Sequence, residues 1–171
     1  MDAMTTVMNR QYLEGLLAFG DGTERATIQI ECEAGVVGIA RRFAREQLAV
    51  WGFAEGSGLN DRVVFTVSEL VTNAVLHART RPPSESELID LTLAFDLDQA
   101  IAVLVADNSH KMPLIGVQPS AEATDGRGLL LVDALADGWT VAPRQNPGPG
   151  QGKKVCAFFR CLTTAGLPQS A

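Results

Sequence analysis

The sequence is poor in the residues that build disulfide scaffolds and ordinary zinc sites. It has three cysteines, Cys32, Cys156 and Cys161, and two histidines, His77 and His110. The cysteine number is odd and no CxxC or Cys/His cluster occurs, so the thiols read as reduced and partly buried. Positive charge is also in the minority: 14 Lys and Arg stand against 20 Asp and Glu, a formal charge of -6. Such a chain has no general attraction to a phosphate backbone, which argues against direct nucleic-acid binding as the main role. No stretch approaches the roughly 18 uninterrupted apolar residues of a membrane span. The opening MDAMTTVMNRQYLEG has no basic start followed by an apolar run, so neither a signal peptide nor a membrane span is expected, and the chain reads as cytoplasmic.

What remains is an ordinary globular composition, 46% hydrophobic and 20% charged in 171 residues, enough for one domain with one core. Residues 1–24 have weak periodicity and end in Gly20-Asp21-Gly22; they read as a tail or short N-terminal helix, and 163–171 as a C-terminal tail. Residues 25–33 alternate Ala26, Ile28, Ile30 and Cys32 with polar neighbours, the period of a half-buried strand. Val36, Val37, Ala40, Phe43, Ala44, Leu48 and Trp51 recur at helical spacing. A glycine-rich turn leads to a second helix, expected from about Asn60, a plausible N-cap, to His77 or Ala78. Strands follow at 88–95 and 100–107, a long Pro/Gly-broken connection to about 125, a helix at 127–136, and strands at 138–142 and 153–162. This order predicts a two-layer α/β sandwich: one mixed, mostly antiparallel sheet with helices on a single face.

The second helix carries the most information. At about 100° per residue, Val63, Val67, Leu70, Val71 and Ala74 share the core side. Glu69, Asn73 and His77, spaced i, i+4 and i+8, form a separate polar stripe along the flank. Such a stripe is often simply the solvated side of an amphipathic helix. Asn73, however, is a mediocre helix former placed in mid-helix, a small local cost with no evident structural return.

Two further segments bear on chemistry. Asp107 ends a strand directly before Asn108-Ser109-His110; its carboxylate could accept from an exocyclic amine such as adenine's, or could merely initiate a turn. In DGRGLLLVDAL, Gly126 and Gly128 open an apolar helix with Arg127 between them. Free amides at a positive helix end make a natural phosphate site, though a plain glycine turn before a core helix reads the same way. The segment is not a Rossmann fingerprint, because Leu131 stands at the third glycine position. Gly152-Lys153-Lys154 is not a Walker A motif, since no Ser or Thr follows the lysine and Pro147 occupies the leading glycine's place.

Taken in order, these segments resemble the GHKL ATPase family. SELVTNAVLHA is similar to its N-box, ADNS to its first glycine box, GRGLLLVDALAD to its second, and GKKVCAFF to the strand that closes the site. The resemblance covers roughly residues 25–162 and is nearest to the small anti-sigma-factor serine kinases. It implies a Bergerat-type ATP-binding domain using ATP and Mg²⁺. Asn73 would hold the metal, Glu69 would act as general base, Asp107 would take the adenine amine, and Gly126, Arg127 and Gly128 would meet the phosphates. Ser109 would border the nucleotide, residues 109–125 would form a lid, and His77 would sit at the pocket edge.

The resemblance further implies partner switching through phosphorylation of a STAS-type anti-anti-sigma protein, and a possible homodimer. The alternative is a nucleotide-binding module that sequesters a sigma factor or other regulator without efficient phosphotransfer. Two positions depart from the family pattern. Ser109 stands where many members have glycine, and Lys154 is expected where a threonine often begins the last strand and supports the adenine-binding Asp.

Overall fold

The computed structural model describes residues 23–96, 100–111, 127–144 and 152–161. In chain order these form β1 (Thr23–Glu31), α1 (Val36–Val50), α2 (Gly58–His77), β2 (Leu88–Asp96), β3 (Ala100–Asp107), α3 (Arg127–Leu135), β4 (Gly138–Pro143) and β5 (Lys153–Arg160). The strands make one five-stranded sheet in the order β1-β2-β3-β5-β4. Every pairing is antiparallel, so the parallel neighbours that a mixed sheet would contain do not occur among the described strands.

The sheet is apolar on both faces at its centre. Ile101, Val103 and Val105 of β3 and Val155, Ala157 and Phe159 of β5 face the helices. Ala100, Ala102 and Leu104, with Cys156 and Phe158, form a second buried cluster on the opposite face. Side chains alternate along a strand, so an unbroken apolar run such as IAVLVA serves both faces.

The helices lie as the sequence pattern requires. Val36, Ala40, Ala44 and Leu48 bury one side of α1. Val37, Phe43 and Trp51 pack partly buried against the same core. In α2, Val63, Val67, Leu70, Val71 and Ala74 are all buried, so the expected core stripe and the observed one coincide.

The start of α2 differs from expectation. Its N-cap is Ser57, whose hydroxyl accepts from the Asn60 amide at 3.3 Å. Asn60 is buried inside the first turn, and its side-chain amide donates to the Phe53 carbonyl at 3.1 Å. Both residues are of capping type. The helix takes the earlier one because Gly58 and Leu59 extend it by a turn and Asn60 has a better use in closing the preceding loop.

Arg62, near the start of α2, ties α3 in place. Its Nε donates to the Leu135 carbonyl at 2.8 Å, satisfying a free group at the α3 C-terminus. Its guanidinium lies 5.5 Å from the centre of the Phe159 ring. α3 therefore runs against α2 with its first turn brought to the middle of α2, which positions the site.

Candidate nucleotide site

Glu69 and Asn73 stand one turn apart on α2, both half-buried, on the flank between core and solvent. The first turn of α3 faces them. A Cβ added at Gly128 would lie 2.7 Å from Glu69 Oε2, 3.6 Å from Asn73 Oδ1 and 3.8 Å from Asn73 Nδ2. A carboxylate, a carboxamide and a side-chain-free helix start thus converge on one small volume. A Cβ there would push the Glu69 carboxylate aside, so glycine is what lets that carboxylate lie against the start of α3. Arg127 opens α3, while Gly126 lies outside the described residues. His77 is exposed in the last turn of α2.

The second half of the site is the end of β3. Asp107 shares the parity of Val103 and Val105, which places its side chain on the helix-bearing face of the sheet. Only 2% of the residue is exposed. Its Oδ1 accepts from the Ser109 amide at 2.9 Å, so Asp107 also initiates the turn that the Asp-Asn-Ser sequence offers. Ser109 is buried, and its hydroxyl accepts from the Lys111 amide at 3.1 Å. His110 and Lys111 are exposed; the rest of the expected lid, 112–125, lies outside the described residues.

The residue that meets Asp107 is Lys153 and not Lys154. β3 and β5 pair with Asp107 opposite Lys153, while Lys154 lies opposite Ala106. A shift of one residue sends a strand side chain to the other face, so Lys154 cannot support Asp107. The Lys153 ammonium lies 3.0 Å from Oδ1 and 2.9 Å from Oδ2 of Asp107. Burial pushes the Asp107 carboxyl up from the ordinary aspartate value, and Lys153, the Ser109 amide and the charge of Arg144 offset part of that rise.

Three further residues shape this end, and of them only Gly152 lay in a segment the sequence singled out. Gly152 passes so close to β3 that a Cβ would overlap the Asp107 carbonyl oxygen and come within 3.1 Å of Asn108 Cα. Arg144 donates to Asn108 Oδ1 at 2.9 Å and pairs with Asp90. Glu87, buried, accepts from the Thr80 amide and hydroxyl, the Arg81 amide and the Asn108 side-chain amide. Burial alone would raise the Glu87 pKa; these hydrogen bonds together outweigh it and hold the carboxyl below its ordinary value. Glu87 thus pins the 78–87 loop to the turn after β3. The clue in the sequence was a glutamate directly ahead of an apolar strand, which is too common to single out.

The thiols play no part here. Burial raises all three, Cys156 to about 12 and Cys161 to about 11, so they stay protonated at neutral pH. Among the described residues no helix is long and apolar enough to cross a membrane, and no group of three or more His, Cys, Asp or Glu is placed to hold a metal.

No curated protein matches the chain. A family model described as the histidine kinase-like ATPase domain matches residues 30–157, well over half of the chain and every described part of the site. With the antiparallel sheet, the helices on one face and the Glu69–Asn73–Gly128 convergence already in place, this match shows that the chain belongs to the histidine kinase-like ATPase domain family.

Proposed function

We propose that this protein is an ATP-binding regulator that phosphorylates a serine or threonine of a small STAS-type partner, and that it acts by partner switching on a sigma factor. The observation that carries the reading is the convergence of Glu69 and Asn73 on the glycine start of α3. The family match supports the nucleotide, and the resemblance to small anti-sigma-factor kinases supports the partner class.

The residues present fit a Mg²⁺–triphosphate. Mg²⁺ takes few protein oxygens and keeps several waters, so the single carboxamide oxygen of Asn73 is sufficient. The amides at the start of α3 would meet phosphate oxygens, the role the family resemblance gives to Gly126, Arg127 and Gly128. Bound Mg²⁺ would neutralise charge on the transferring phosphoryl group. Glu69, one turn before Asn73 on α2, would accept the proton of the attacking hydroxyl. Asp107 would face the base.

A second reading has an observation in its favour. Asp107 is held by a buried lysine, so the base end is not built for tight adenine binding. A module that sequesters a sigma factor with little phosphotransfer fits that feature. The test is transfer of labelled phosphate from ATP to STAS proteins encoded nearby. Labelling of one partner by the native protein, lost in Glu69→Ala, is the expected result. ATP binding with no partner labelled would leave the sequestering module.

A further inference from the structure

We propose that Lys153 sets the base selectivity of this site. Its ammonium holds the Asp107 carboxylate in a closed ion pair, so an exocyclic amine on the base gains little from Asp107. The nucleotide is then held chiefly through its phosphates. This inference rests on the nucleotide-binding reading above and adds to it which end of the ligand supplies the affinity.

An ionised carboxylate offers about four lone-pair positions. Lys153 Nζ approaches both oxygens of Asp107, and the Ser109 amide takes a further position on Oδ1. What remains for a base is one position on Oδ2, on an oxygen whose charge is already balanced by an ammonium 2.9 Å away. An amine hydrogen entering there also meets the positive field of Lys153. A neutral hydroxyl in place of the ammonium would leave the carboxylate its charge and could itself accept a hydrogen bond.

Nor does the pair open readily. The Asp107 side chain is 3% exposed and that of Lys153 10%, so water does not draw the ammonium away. The two residues are direct partners across antiparallel strands, which fixes their backbones. Gly152, immediately before Lys153, packs against the Asp107 carbonyl and leaves no slack for a shift. Separating the charges would strand each of them in the interior.

The experiment compares ATP with purine riboside triphosphate, which lacks only the amine, in the presence of Mg²⁺. The full chain is used as native protein, Lys153→Thr and Lys153→Gln, with thermal melts as a check on folding. In the native protein the two nucleotides should bind within about threefold of each other. In Lys153→Thr the amine should be worth about tenfold or more, the scale of a hydrogen bond to a charged acceptor. Lys153→Gln removes the charge but retains volume and a donor, and should lie between them; it carries the test if the threonine variant does not fold. A native preference for ATP of tenfold or more would overturn the proposal. So would a folded variant that binds both nucleotides with the native ratio. Folded native and variant proteins that bind neither nucleotide would instead bring down the nucleotide-binding reading itself, and this inference with it.

Discussion

The two ends of the candidate site are built on opposite principles. At the base end, Asp107, Lys153 and Ser109 are buried and satisfy one another. At the helix pair, Glu69 and Asn73 are half-buried, their carboxylate and carboxamide lying against Gly128. A polar cluster that satisfies itself contributes to the stability and uniqueness of the fold. Half-exposed polar groups outside such a closed network contribute less to stability. Affinity and chemistry should therefore reside at the helix pair, and the strand end should behave as part of the core.

The largest expected effect is chemical. Glu69→Ala should slow phosphotransfer by ~10²–10⁴-fold, the usual range for a positioned base. It should leave nucleotide affinity and melting temperature nearly unchanged, as single-turnover transfer beside a binding titration would reveal. At the other end the pattern should invert. Asp107→Ala leaves the Lys153 ammonium buried without its partner, and breaking such a pair costs about 3–5 kcal/mol. Urea denaturation should register that loss; an equal cost for Asn73→Ala would erase the contrast between the two ends.

Gly128 sharpens the comparison further. Alanine there places its Cβ 2.7 Å from Glu69 Oε2, so the carboxylate must move. Because alanine is the better helix former, stability should hold or rise by up to about 1 kcal/mol while phosphotransfer falls. A variant that loses both together would mean that Gly128 serves packing and not the ligand.

The smallest effect concerns Glu87 and acid. Its folded pKa lies below the ordinary value of 4.5, so its stabilising contribution is present above that value. The contribution is lost as pH falls through the lower folded pKa. Glu87→Gln should therefore flatten the acid limb of the stability profile, and should also lower stability at neutral pH, because its amide nitrogen would face donors where the carboxylate accepted. Denaturation midpoints from pH 7 downward would check this.

Much of the fold was legible because periodicity is a local property. The α2 core stripe and the Glu69–Asn73 flank both follow from 3.6-residue geometry alone, and β1 follows from its alternation, whereas the sheet expected to be mixed is antiparallel throughout its described pairings. Cap choice was harder, since Ser57 and Asn60 are both good caps and only the contact of Asn60 with Phe53 decides between them. Pairing across the sheet was not legible. Whether Lys153 or Lys154 meets Asp107 depends on register, a long-range property to which a one-residue error is fatal. The same holds for Arg144 and Glu87, which reach the turn after β3 from distant segments. The approach of the α3 start to the Glu69–Asn73 flank was therefore anticipated by a helix stripe and a glycine, while the contacts at the end of β3 required the sheet.

The most direct test of the account is a titration of ATP with and without Mg²⁺ into the native protein and Asn73→Ala. The account predicts that Mg²⁺ strengthens ATP binding to the native protein, and that Asn73→Ala loses most of this Mg²⁺-dependent gain while its melting temperature stays near native. Native binding indifferent to Mg²⁺, or a full Mg²⁺ response retained in folded Asn73→Ala, would contradict it.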